Sequence, residues 1–332
     1  MRTLQRLLLV LGLACVGSGA DAAAAPEPLA EIGVIALKGV VRRIDHLAID
    51  PASKRLFVAA LGNGTLEVLD LAHEQCITSI SGLKEPQGVA YLPRAHRIVV
   101  AMRGGAVAAF DDANYQRTAT INNLGDADNL RYDAAADQLY VGYGSGALGL
   151  IEPASTQIVA KIPLGSHPES FRLEQHGPRI FVNLPESREI AVVDRQKRAI
   201  VQHIPLGHLT NNYPMSLDED GQRMFVAVRK PTKLLVFDTQ SGKPLAEVPC
   251  VGDSDDLYYD ARRNRVYVIG GEGYVDVFDA ASSKYERIAR IATRVGARTG
   301  LWSSELDRLF VAWPSRDGQP AEIQILSVPG SP

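Results

Sequence analysis

Two stretches far apart in the chain carry nearly the same acids: LGDADNLRYD at residues 124–133 and VGDSDDLYYD at residues 251–260. Asp126, Asp128, Asp253 and Asp255, with Asn129 and Asp256 beside them, offer the carboxylate and amide oxygens that Ca²⁺ and Mg²⁺ require. The local order is not an EF-hand loop, because the central Gly and the distant bidentate Glu are missing. A cation here would have to be assembled from segments distant in sequence, so the elements that bring them together decide the chemistry.

Those elements repeat. Seven short cores share one order, a polar residue, two apolar residues and Val: RLFV at 55, RIVV at 97, QLYV at 138, RIFV at 179, RMFV at 223, RVYV at 265 and RLFV at 308. They recur every 41 to 44 residues, and such a period over a whole chain marks a repeat architecture. Each β-branched and aromatic core predicts a strand. Before six of them lies an apolar pair two residues apart, such as Leu47/Ile49 or Leu130/Tyr132, with Trp302 in the second slot of the last copy, and after six comes a third run closing on Asp70, Asp111, Glu152, Asp194, Asp238 or Asp279. A fourth run follows, as in AKIPLG and QHIPLG. Four strands per repeat make one propeller blade, so the expected fold is all-β, a seven-bladed β-propeller of four-stranded antiparallel blades. The last copy supplies three strands, ending in IQIL at 323–326. The segment EIGVIALKG at 31–39 is expected to complete it and close the ring, removing an open edge. One domain over residues 30–328 results.

Eleven residues before the first apolar residue of each core stand Asp45, Gln87, Asp128, Glu169, Tyr213, Asp255 and Arg298, with His46, Asn129, His167, Asn212 and Asp256 nearby. These are expected to ring the channel mouth, where loops from several blades converge. One reading is a divalent cation, Ca²⁺ or Mg²⁺, held by Asp126, Asp128, Glu169, Asp253 and Asp255. Another is a substrate site, with Arg298 clamping an anion and His46 or His167 as acid or base. The plainest is that Asp and Asn ahead of a strand tie down loop N–H groups. The acids closing six third strands recur at one phase and read as structural. Ser241-Gly242-Lys243 lacks the first Gly of a phosphate loop and falls where a turn is expected. Gly144-Ser145-Gly146 opens a hairpin, not a nucleophile elbow.

Composition narrows the classes. A formal net charge of -3 with no basic run excludes the electrostatic footprint of nucleic-acid binding. Arg2 and Arg6, an apolar run at 7–16 and small residues at 20–25 read as a cleavable targeting segment over residues 1–24, too short to span a bilayer. The expected product is periplasmic or secreted; the residues before Cys15 match lipoprotein processing poorly. Cys76 and Cys250 are placed on outer strands three blades apart, and a disulfide needs Cα atoms within about 7 Å, so both are expected unpaired.

The runs RLFVAALGNGTLEVLD at 55–70 and RIFVNLPESREIAVVD at 179–194 resemble the YVTN-type β-propeller repeat family. The resemblance covers roughly residues 30–328, although Phe57-Val58-Ala59-Ala60 departs from the family's tetrapeptide. It implies an exported propeller, and related propellers include a lactonase type and subunits of periplasmic amine dehydrogenases. The expected function is a binding or scaffold protein whose acid-rich channel mouth takes a small molecule, a cation or a periplasmic protein partner. The alternatives are a metal-assisted, lactonase-like hydrolase and a propeller partner of a periplasmic redox system.

Overall fold

The computed structural model describes residues 27–330. Their strands form seven four-stranded antiparallel sheets, six of them running outward in chain order from an inner strand. Blade one, for example, is Leu47–Asp50, Arg55–Ala60, Thr65–Asp70 and Gln75–Ile80. Blade seven takes Gly300–Ser303, Arg308–Trp313 and Glu322–Ser327 from one end of the chain and Ala30–Ala36 from the other. Ala30 lies opposite Ser327 and Ala36 opposite Glu322, so the N-terminal strand closes the ring as expected.

The repeated cores become second strands buried on both faces, because each blade is sandwiched between two others. Fourth strands alternate exposed and part-buried residues, as in Gln75–Ile80, since only part of the rim is covered. Seven hydrophobic clusters result, one at each seam between neighbouring blades. At the closing seam Ile35 and Leu37 pack with Leu56, Val58, Phe310 and Ile323.

The Arg that opens many cores is an inter-blade clamp. Arg223 donates to Asp218 Oδ2 at 2.9 and 2.6 Å and reaches the Ala280 carbonyl of the next blade at 2.6 Å. Arg179 does the same with Glu174 and the Thr239 carbonyl, and Arg55 with Asp50 and the Asp112 carbonyl. Arg223→Ala removes the guanidinium donors to Asp218 Oδ2 and the Ala280 carbonyl, and hydrogen bonds to charged groups contribute about 1.5–3 kcal/mol. Urea denaturation is expected to show a loss of that size; a loss below about 0.5 kcal/mol, the level of an ordinary surface substitution, would contradict the clamp.

The acids closing the third strands hold turns. Asp70, Asp111, Asp194, Asp238 and Asp279 each accept backbone N–H groups two or three residues on, and Glu152 accepts the Ser155 hydroxyl. Cys76 and Cys250 are unpaired thiols. The targeting segment over residues 1–24 lies outside the described residues. Among those described, no helix is long and apolar enough to cross a membrane.

Candidate functional site

The inner strands reach the channel through loops that break the ladder. In blades two, five and six the register shifts between Pro86 and Val89, Asn212 and Met215, and Ser254 and Asp256. Such bulges re-aim side chains, and Gln87, Tyr213 and Asp255 sit inside them. Asp126 and Asp253 adopt left-handed φ of 41° and 56°, which short polar side chains tolerate.

A cavity of about 480 Å³ occupies the mouth, lined by Gln87, Asp128, Glu169, Tyr213, Asp255 and Arg298 of the predicted ring, together with Asp126 and His167. Asp45 and His46 lie just beneath, in contact with this layer through Arg43 and Asp128. Asn129 and Asn212 are buried away from the cavity. Asn129 accepts Arg131 at 3.0 Å, and Asn212 donates to Asn183 Oδ1 at 3.1 Å and the Glu189 carbonyl at 3.0 Å. Asp256 accepts His46 Nδ1 at 3.2 Å and the Gly300 N–H at 3.1 Å.

The mouth has two unlike walls. On the blade five to blade one side, carboxylates and arginines are cross-linked. Arg229 pairs with Asp253 at 3.2 Å and with Asp255, and lies 4.3 Å over the Tyr213 ring. Arg298 meets Asp253 at 2.9 Å, and Arg43 joins Asp45 at 3.0 Å and Asp255 at 3.8 Å. On the opposite wall, Asp128, His167 and Glu169 bring one ligand atom each to within 4.8 Å of one another. Among the described residues neither acid has an Arg or Lys within 4.0 Å; the nearest cation to Asp128 is His46 Nε2 at 3.9 Å. Asp128 Oδ1 is buried without a hydrogen-bond partner among the described residues. His167 Nδ1 donates to the Gly144 carbonyl at 2.6 Å, which leaves Nε2 as the free lone pair. Asp126 stands at the rim, 3.7 Å from Arg103.

Burial sets the protonation of this wall. It raises the Asp128 carboxyl, helped by Asp45 and opposed by the two histidines, to about 6. Burial and then Asp128 and Asp255 raise Glu169 well above its ordinary value. Asp255 is also lifted by burial to about 6 against the pull of Arg229 and Arg43. For His46, burial lowers the imidazole, but Asp256 and then Asp45 and Asp128 outweigh it and push it up to about 10. His46⁺ therefore favours the fold fully below about pH 6.5, the unfolded value, and that contribution disappears as pH rises through about 10. His46→Gln is expected to flatten the fall of stability across that window, which amounts to at most about 1.4 kcal/mol per pH unit. Denaturation midpoints of both proteins at pH 7 and 9.5 check it, and parallel slopes would refute it.

Arg43, Arg103, Glu186 and Arg229 also line the cavity and were not in the predicted ring. The repeat held a signal for two of them. Three residues past the Val of each core come Leu61, Arg103, Gly144, Pro185, Arg229, Gly271 and Pro314, a second ring at the tips of hairpins on the same face.

Comparison with known proteins places the architecture and nothing finer. No family model matches the chain, and no curated protein does. Among solved structures, a chain described as "Kuenenia stuttgartiensis Hydrazine Synthase" is similar, with a TM-score of 0.76 at 15% identity, covering 88% of this chain and 99% of that one. At that identity the likeness shows the fold alone, a seven-bladed β-propeller.

Proposed function

We propose that this is an exported propeller of the YVTN type, one domain over residues 30–328 behind a removed segment over residues 1–24, acting as a binding module through its channel mouth. Asp128, His167 and Glu169 hold a divalent cation, and Arg229 and Arg298 across the cavity orient an anionic group of the ligand. The observation that carries this reading is the unequal charge of the two walls. The arginines are concentrated against Asp253 and Asp255, while among the described residues the Asp128 and Glu169 pair has no Arg or Lys within 4.0 Å, only the oriented His167 imidazole and His46 at 3.9 Å from Asp128. A like-charged, part-buried carboxylate pair is costly unless a cation or a shared proton compensates. The imidazole shifts the expected ion from Ca²⁺ or Mg²⁺ toward Mn²⁺ or Zn²⁺, which accept mixed nitrogen and oxygen ligands.

Calorimetric titration of the purified protein with each of these four ions tests the reading. Saturable binding with a rise in melting temperature is expected for at least one; no heat and no shift with any of them would end it. The lactonase-like reading draws support from one feature, the cavity of about 480 Å³ beside the cation wall, where a metal-bound water would face a substrate. Metal-dependent turnover of a sugar lactone, lost in Glu169→Gln, would establish hydrolysis over simple binding.

A further inference from the structure

Beneath the acid-rich mouth the channel changes sign. The third residue past each mouth position is Arg131 in blade three and Arg172 in blade four; no other blade places an acid there, and the remaining polar residues are Ser216 and Tyr258. We propose that Arg131 and Arg172 form a second binding site, for a small oxyanion such as phosphate, sulfate or a carboxylate, one step deeper in the channel. It lies three residues further along the inner strands and shares no residue with the cation wall at the mouth.

The two guanidinium groups converge on one hydroxyl. Arg131 Nη2 donates to Ser170 Oγ at 3.2 Å and Arg172 Nη1 donates to the same oxygen at 3.3 Å. Their other acceptors are all neutral: the Phe171 and Leu130 carbonyls and Asn129 Oδ1 for Arg131, and the Phe171 carbonyl for Arg172. Among the described residues, neither lies within 4.0 Å of a carboxylate. This departs from the treatment of Arg55, Arg179 and Arg223, which each hold an acid five residues upstream. The acids whose field reaches these guanidinium groups are Asp256 across the channel, a carboxylate committed to His46 and to the Gly300 N–H, and, for Arg131, Asp128.

Two like charges held against one neutral oxygen repel each other, and shielding from water strengthens the repulsion. Burial and Arg172 together push Arg131 down to about 9, and burial lowers Arg172 as well. A bound anion removes that cost. The donors to receive it are in place: Arg172 directs only Nη1 at the protein, leaving its Nε and Nη2 N–H groups without an acceptor among the described residues. Arg131 is fixed by four hydrogen bonds and lies 5.6 Å over the Phe171 ring. A pre-oriented fork beside a second guanidinium is the arrangement that recognises a planar or tetrahedral oxyanion.

The test uses sodium phosphate, sodium sulfate and sodium acetate against sodium chloride at matched ionic strength. Phosphate, sulfate or acetate is expected to raise the melting temperature of the wild-type protein in proportion to the logarithm of its concentration, with one-to-one saturable heat by calorimetry. Arg172→Met should reduce that affinity at least tenfold while its melting temperature in anion-free buffer is unchanged or higher, and Arg172→Lys should retain part of the affinity. Glu169→Gln should leave the anion response intact, which separates this site from the one at the mouth. No oxyanion effect beyond that of chloride in the wild type would overturn the proposal, as would an undiminished response in Arg172→Met. If Arg172→Met does not fold, the wild-type titration and Arg172→Lys decide.

Discussion

Asp128→Asn is expected to change stability in opposite directions with and without a divalent metal. In the fold the Asp128 carboxyl titrates near 6, against 3.8 for the unfolded chain. Its favourable contribution is therefore complete below about pH 4, is lost as pH rises through about 6, and leaves a buried charge above that. A shift of that size corresponds to a cost of order 2–3 kcal/mol at pH 8. Asparagine carries no charge, so in the presence of a chelator the variant should be more stable than the wild type at pH 8 and equal to it at pH 4. With Mn²⁺ or Zn²⁺ the order should invert, because the wild type gains the binding free energy and the variant does not. Altering groups that only orient a ligand already reduces metal affinity about 10–100-fold, so loss of a direct carboxylate should reduce it at least that much. Urea denaturation at both pH values, with metal and with chelator, reads all four arms. A variant that is less stable in chelator at pH 8, or that keeps the full metal response, would remove Asp128 from the cation wall.

The largest effect on folding is expected from the strand that closes the ring. A chain lacking residues 27–37 loses the ladder from Ala30 to Ala36 and exposes the long edge of Glu322–Ser327. It also removes Leu29, Ile35 and Leu37, which are 0%, 0% and 1% exposed. Truncating one such side chain alone typically costs about 2–5 kcal/mol, comparable with much of the stability of an ordinary domain. The truncated protein is expected to self-associate through the unpaired edge or to lose cooperative unfolding. Ile35→Ala, by comparison, should remain monomeric with a loss of about 2–4 kcal/mol. Light scattering with size-exclusion chromatography and thermal melts distinguish these outcomes. A truncated chain that is monomeric and melts within a few degrees of the full protein would show that closure does not depend on this strand.

The architecture was legible because a propeller repeats its requirements. Every blade needs a second strand apolar on both faces and a third strand that ends in a turn. RLFV, RIVV and their relatives therefore return at a fixed interval, and Asp70, Asp111 and Asp194 return at a fixed phase. The same phase located most of the mouth. Gln87, Asp128, Glu169, Tyr213, Asp255 and Arg298 share one cavity because equivalent positions in equivalent blades must point to one axis. Phase could not separate side chains that face the cavity from those turned into the scaffold. Asn129 and Asn212 sit one residue from mouth positions, yet serve Arg131, Asn183 and the Glu189 carbonyl.

The fate of the two matching acid motifs shows where the division lies. Sequence alone determined that LGDADNLRYD and VGDSDDLYYD occupy the same place in two blades, since the interval and the apolar positions admit one fold. Only the tertiary structure decided that Asp253 and Asp255 are compensated by Arg229, Arg298 and Arg43, while Asp128 meets Glu169 and His167. Those arginines come from different blades and from both ends of the chain, so no local spacing encodes the pairing. Charge compensation depends on distance through space, and in a closed ring the nearest neighbours across the channel are far apart in sequence.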